Sequence, residues 1–328
     1  MDSRRNFLKQ GALATSALLV AKPVSMVSNS IGKGFMPGNN QITILHTNDL
    51  HDNLLPVTHE RYAKMGGFQK TSELIATIRK RDANTLLVDA GDISCGDASH
   101  SEEHKTLLKG MHRAGYDAAL LGNRDYACGT DLLKEYWQQS GIPLVATNYN
   151  FTDSRLGSMQ QPYRVVQKGN IKIGIIGAGI NMRGLVPGEV NDAVQYRDPV
   201  KDLSNLASML KQQQHCQLVV CLSHLGYKNE KAIDDLTLAA QSKDIDIIIG
   251  AHTHTFMAAP QIVLNKQQDE VIINHAGYGG IALGNISISF DDNGNKNGLQ
   301  FNNMLVGARD NKWVQDRSHS RLQPSMVG

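Results

Sequence analysis

Five short segments of this chain carry the side chains that hold metal ions and activate water. They are His46-Thr47-Asn48-Asp49-Leu50-His51, Asp89-Ala90-Gly91-Asp92, Gly122-Asn123-Arg124-Asp125, Ser223-His224 and Gly250-Ala251-His252-Thr253-His254. Asp49 and His51 are two residues apart, as are His252 and His254, so in extended chain each pair faces one side and offers two ligands together. Singly the pieces are weak, because a Gly-Asp is usually a turn and a lone histidine usually packs or hydrogen-bonds. Together they supply carboxylate, imidazole and carboxamide and no thiolate, a mixture suited to manganese, zinc or iron. Two divalent ions held about 3.5–4 Å apart are an established device for phosphoryl transfer. The pair needs one carboxylate that touches both ions, and Asp92 is the candidate. Asp49, His51 and His254 then complete one site, and Asn123, His224 and His252 the other. Ions so placed acidify a shared water and give a hydroxide near neutral pH for in-line attack on phosphorus.

Each of these segments follows a short apolar run: Ile42 to Leu45, Thr85 to Val88, Ala118 to Leu121, Gln217 to Leu222 and Ile245 to Ile249. Further runs lie at Pro143 to Ala146, Ile171 to Ile176, Val271 to Ile273 and Leu283 to Phe290. Helix-like stretches intervene at Phe68 to Arg81, Thr106 to Ala114 and Pro199 to Gln214. This alternation predicts an α/β layered domain. In open α/β sheets the ligand site lies beyond the carboxyl ends of the strands, where all five segments fall. The last two runs are joined by a short Gly-rich segment with no room for a helix, which predicts an antiparallel portion and a mixed sheet.

The ordered series of segments resembles the calcineurin-like metallophosphoesterase superfamily. Within it, the opening Ile42-Thr43-Ile44-Leu45-His46, the later Met65-Gly66-Gly67-Phe68 and the closing strands are similar to the N-terminal catalytic domain of 5′-nucleotidases. The resemblance runs from about Gln41 to Asp292. It implies a four-layer α/β/β/α sandwich of two mixed sheets, the two-metal site named above, and hydrolysis of phosphate esters or anhydrides, nucleotides among them. Two departures stand out. The family's third motif usually carries a histidine beside the metals and a later aspartate that orients it; here Arg124 and Ala127 take those positions, while Asn123 is kept. Full 5′-nucleotidases also have a C-terminal nucleoside-binding domain, and this chain ends about where that domain begins. Three functions follow: an active two-metal phosphoesterase, with Arg124 stabilising charge; a catalytically weak protein that binds metal and phosphate; or the catalytic half of a split 5′-nucleotidase whose C-terminal domain is a separate protein. A solvated surface role is the plainer alternative for Arg124.

The remaining features bound the setting. The 328 residues are 41% hydrophobic and 20% charged, ordinary globular composition. Thirty-three basic against 31 acidic residues give a net charge of +2 and no basic run, which argues against nucleic acid as partner. Ser3-Arg4-Arg5-Asn6-Phe7-Leu8-Lys9 precedes an apolar stretch from Gly11 to Ala21, shorter than the roughly 20 residues that span a bilayer. It resembles a twin-arginine signal, with a Sec signal or an uncleaved anchor as the alternatives. The expected organisation is a signal and linker over 1–40, a metallophosphoesterase domain over 41–308 and a polar tail over 309–328. The protein would be periplasmic or exported and meet a membrane only during export. No C-x-x-C spacing occurs among Cys95, Cys128, Cys216 and Cys221. Cys216 and Cys221, an odd number apart in one expected strand, should face opposite ways; Cys95 and Cys128 read as free thiols. Asp97, His100, His104 and His112 are expected to be solvated surface groups. His275 and Tyr278 follow the Val271 to Ile273 run, and His275 is a candidate support for the site.

Overall fold

The computed structural model describes residues 40–58, 62–94, 96–97, 101–229 and 232–307. In chain order the elements are β1 (Gln41–Thr47), α1 (Phe68–Arg81), β2 (Thr85–Asp89), α2 (Ser101–Ala114), β3 (Ala118–Ala119), α3 (Asn123–Ala127), α4 (Thr130–Ser140), β4 (Leu144–Val145), β5 (Tyr149–Phe151), α5 (Ser154–Ser158), β6 (Gln160–Gln161), β7 (Tyr163–Lys168) and β8 (Ile171–Ala178). Then come α6 (Gly188–Ala193), β9 (Val194–Tyr196), α7 (Pro199–Gln212), β10 (Leu218–Ser223), α8 (Asp235–Gln241), β11 (Ile247–Gly250), β12 (Gln261–Leu264), β13 (Glu270–Asn274), β14 (Ala282–Phe290), β15 (Lys296–Phe301) and β16 (Met304–Leu305).

Two mixed sheets dominate. The first runs β15-β14-β1-β2-β3-β4-β6, with β16 beside β14; the second runs β12-β13-β11-β10-β8-β7. β1 lies antiparallel to β14 and parallel to β2, and β10 lies parallel to both β8 and β11. Strand β10 shows why the layers stack. Its side chains alternate, and being buried on both sides it needs apolar residues at every position. Leu218, Val220 and Leu222 join the large core shared with Ile44, Leu86 and Ile286 of the first sheet. Val219 and Cys221 face the other way, into a second core with Leu203, Ala207 and Leu210 of α7 and Leu238 of α8. The large core also contains Phe68 and Ile75 of α1, Leu107 and Met111 of α2 and Leu133 of α4. The result is the expected order of helices, sheet, sheet, helices.

Three expectations are corrected. The Gly-rich segment after β13 does not close a hairpin: β13 pairs with β11 and β12 in the second sheet, whereas β14 pairs with β1 in the first. It carries the chain from one sheet to the other, and the antiparallel character comes from the β1–β14 pairing. Cys216 precedes β10, so strand alternation does not apply to it, and both Cys216 and Cys221 pack in the helix-side core as free thiols. His104 is buried, its Nδ1 2.8 Å from Asp52 Oδ1. His112 and Asp97 are exposed as expected. Cys95, His100, the signal and the tail lie outside the described residues. Strand β7 was not anticipated, although Gly169-Asn170 between two β-rich runs is a hairpin signal, and β7 and β8 do pair antiparallel across it. Among the described residues no helix is long and apolar enough to cross a membrane.

Candidate metal centre

The carboxyl ends of β1, β2 and β3 in the first sheet, and of β10 and β11 in the second, deliver their loops to one edge. The loop after β1 runs along the loop after β2: Asp49 N–H donates to Gly91 O (2.9 Å), His51 N–H to Asp92 O (3.1 Å) and Asp52 N–H to Ile93 O (2.9 Å). The loop after β11 joins them, its His252 N–H donating to the Asp49 carboxylate at 3.1 Å. Five of the seven expected ligands, Asp49, His51, Asp92, His252 and His254, have left-handed backbone, with φ between 47° and 70°. Such a conformation costs a non-glycine residue roughly 1–3 kcal/mol and persists only where surrounding contacts impose it. The cross-loop hydrogen bonds hold it at Asp49, His51, Asp92 and His252.

The side chains form two groups, each with ligand atoms within 4.8 Å of one another: Asp49, His51 and His254, and Asp92, His224 and His252. In the first, His51 Nε2 lies 2.9 Å from His254 Nε2, and these nitrogens lie 4.0 and 3.7 Å from Asp49 Oδ1. In the second, His224 Nε2 lies 3.2 Å from Asp92 Oδ1. Asn123, the seventh expected ligand, opens α3; its buried Oδ1 has no hydrogen-bond partner. Gly122 before it must lack a side chain, because a Cβ there would sit 2.2 Å from Asp92 Oδ1 and 2.5 Å from His224 Nε2.

The donors are presented as a metal requires. The Nδ1 atoms of His224 and His51 lie 2.9 and 3.2 Å from the carbonyl oxygens of Ala90 and Ser94. A carbonyl only accepts, so each Nδ1 carries a proton and each Nε2 is left to the site, the arrangement that orients metal-bound histidines. Burial lowers His51, and lowers His252 and His254 to about 4, so these imidazoles are neutral at pH 7 and their lone pairs are available. His224 differs. Burial alone would lower it, but the charges of Asp92 and then Asp49 raise it to about 10. Burial raises Asp49 to about 7, whereas the opposing His224 charge overcomes burial and lowers Asp92. Asp92 acts on His51, His224, His252 and His254 alike, as expected for a central carboxylate.

Several supporting residues were not legible beforehand. Asp125 accepts backbone N–H bonds from Gly122 (2.8 Å), Asp92 (2.9 Å) and Ser94 (2.7 Å), clamping the Asp92 loop onto α3. Asn48 donates to Asp49 Oδ2 (2.8 Å) and to Gly277 O (2.6 Å), tying the first group to the segment between the sheets. Asp52 is held to α2 by His104. His275, named from the sequence as a candidate support, lies 2.7 Å from Asp235 Oδ2 and packs with it against Gly250 at the end of β11. The only early signal was the presence of Asn48, Asp52 and Asp125 inside or beside the ligand segments.

Arg124 is exposed. Its backbone N–H donates to Asp92 Oδ1 at 2.8 Å, and its charge lowers both His51 and His252. The guanidinium therefore acts on the centre while remaining open to solvent. Ala127, three residues on and on the same face of α3, is half-buried.

An edge of two stacked mixed sheets carrying two such imidazole–carboxylate groups is the scaffold of a metallophosphoesterase. The comparisons agree: the calcineurin-like phosphoesterase family matches residues 42–256, and the chain belongs to it. Its similarity within that family is to the N-terminal domain group of 5′-nucleotidases. It is 29% identical to a 5′-nucleotidase of Vibrio vulnificus over 235 residues, 68% of this chain and 42% of that protein. It is 26% identical to a 5′-nucleotidase of Bos taurus over 285 residues, 78% of this chain and 47% of that one. The solved 5′-nucleotidase precursor from Thermus thermophilus superposes with a TM-score of 0.72 at 26% identity, covering 81% of this chain and 54% of that one. The chain thus spans about half the length of these relatives.

Proposed function

We propose that the chain is a two-metal phosphoesterase acting on phosphate esters or anhydrides, nucleotides among them. The observation that carries this reading is the donor set around Asp92: the buried Asn123 Oδ1 has no hydrogen-bond partner, and His224 Nε2 faces only the Asp92 carboxylate, 3.2 Å away. Buried polar atoms are almost always paired, and a cation is the partner that both would share. Two divalent ions, when bound, supply Lewis-acid activation of water and neutralise charge at phosphorus. Asp92 is assigned to both ions, Asp49, His51 and His254 to one, and Asn123, His224 and His252 to the other. The backbone bonds between the loops keep these groups aligned without reorganisation during the reaction. Arg124 offers its planar fork of donors to the transferring phosphoryl group. The catalytic unit is assigned to 41–308, the tail to 309–328.

The test is elemental analysis with a hydrolysis assay on the metal-loaded chain. We expect about two ions of manganese, zinc or iron per chain and turnover of 4-nitrophenyl phosphate. Failure to bind any of these metals overturns the reading. Two bound ions with no turnover favour the second reading, a weak binding protein or a half-enzyme that needs a separate C-terminal-domain partner; the replacement of the family's histidine and aspartate by Arg124 and Ala127 supports that one. Export is proposed from Arg4 and Arg5 ahead of the apolar stretch within 1–40. Replacing both with lysine should hold the protein in the cytoplasm, and an unchanged periplasmic yield would indicate the Sec route.

A further inference from the structure

Beside His254 the surface turns aromatic. Tyr278 stacks on the His254 imidazole with centroids 5.0 Å apart and planes at 26°. Phe256 meets Tyr278 at 5.9 Å and 68°, and Tyr62 stacks on Phe256 at 5.0 Å and 29°. All three residues are half-buried, so part of each remains in contact with solvent. The row is anchored. Phe256 forms a β-bridge to Ala276, and Gly277 N–H donates to Thr255 O at 3.0 Å. Gly277 has φ +76°, and a Cβ there would come within 2.1 Å of the Phe256 ring, so the ring lies directly against bare backbone. The same segment is tied to the first ligand group by Asn48, which donates to Gly277 O, and by Gly279 N–H, which donates to Asp49 O at 2.7 Å.

We propose that Tyr278, Phe256 and Tyr62 form the leaving-group subsite, a shelf that stacks the planar aromatic ring of the phosphate ester, a nucleobase or an aryl group. The inference rests on the phosphoesterase reading, since the ring arrives attached to the phosphoryl group that the adjacent centre holds. Rigid rings lose little entropy on binding, and a π-face accepts any base, so the shelf selects for aromaticity and tolerates different bases. Tyr278 touches both the shelf and His254, which joins ring recognition to the site of reaction. The catalytic domain then recognises the ring with its own residues.

The decisive comparison is AMP against ribose 5-phosphate, which share the same kind of primary alkoxide leaving group and differ in the base. Phe256→Ala, and separately Tyr62→Ala at the far end of the row, should each raise the ratio of KM for AMP to KM for ribose 5-phosphate by roughly tenfold, the lower part of the range for one stacked base. Adenosine, which carries no phosphate, should bind the metal-free native chain in calorimetry and bind each variant roughly tenfold more weakly. An unchanged KM ratio in both variants overturns the shelf, as does a native chain that does not bind adenosine. Adenosine binding that weakens in the variants, in a metal-loaded chain that hydrolyses neither these two phosphates nor 4-nitrophenyl phosphate, supports the shelf and overturns the phosphoesterase reading, so the two failures are distinguishable.

Discussion

Asp92→Ala is expected to lose most of both proposed metal ions and, with them, turnover on every phosphate ester. Asp92 is the carboxylate whose charge reaches His51, His224, His252 and His254 alike. Partners that only orient a ligand are worth roughly 10–100-fold in metal affinity, and a direct ligand of both ions should exceed that. Asp49→Ala, confined to the first group, should spare at least part of one site. Asp92 Oδ1 also accepts the Arg124 N–H, so loss of metal in Asp92→Ala has a trivial alternative, a loosened α3. Asp92→Asn answers it by keeping an oxygen for that N–H while removing the charge. The same pair predicts a second readout. In the metal-free protein His224 is raised to about 10 and is protonated at pH 8; a ligand must be neutral, so loading the ion on its side should release about one proton there. Calorimetric titration in buffers of different ionisation enthalpy measures this. Full metal content in Asp92→Ala by elemental analysis would refute the bridging assignment.

Arg124 is expected to give the enzyme a preference for good leaving groups. An arginine stays protonated at any useful pH; it stabilises negative charge but does not donate a proton to a departing alkoxide. Charge stabilisation helps every phosphoryl transfer, while a proton donor matters most for a poor leaving group. Aryl phosphates and the anhydrides of nucleoside di- and triphosphates should therefore outrun nucleoside monophosphates. General acid catalysis contributes roughly 10²–10⁴-fold, so the bias should be plain in kcat/KM for 4-nitrophenyl phosphate, ADP and AMP at matched metal content. Arg124→Ala should lower turnover on all three without removing metal, because the side chain is exposed and only its backbone is bonded to Asp92. Arg124→His with Ala127→Asp should restore monophosphate hydrolysis. Equal efficiency of the native chain on AMP and the aryl ester would sink the leaving-group argument.

The convergence of Asp49, His51, Asp92, His224, His252 and His254 was legible in the sequence because parallel strands in a layered α/β protein present their carboxyl ends together. Any ligand type placed just after such a strand is brought to one edge, whatever the helices between. The strand β10 was legible as the apolar run Gln217 to Leu222, while its burial on both faces emerged from the structure. The family and fold class followed from the order of those segments.

The tertiary structure decided what depends on partners distant in sequence. His104 reads like any polar helix residue, and its burial follows only from Asp52, 52 positions earlier, turning toward it. The Gly-rich segment after β13 is short enough for a hairpin, and only the pairing of β14 with β1 shows that it changes sheets. The left-handed backbone of Asp49, His51, Asp92 and His252 is held by hydrogen bonds between loops, which local propensity does not register. The aromatic row from His254 to Tyr62 joins residues nearly 200 positions apart. Residue type and spacing thus determined which groups meet at the strand edge; their protonation, strain and surroundings were settled by burial and long-range contact, where electrostatics and packing act through space and not along the chain.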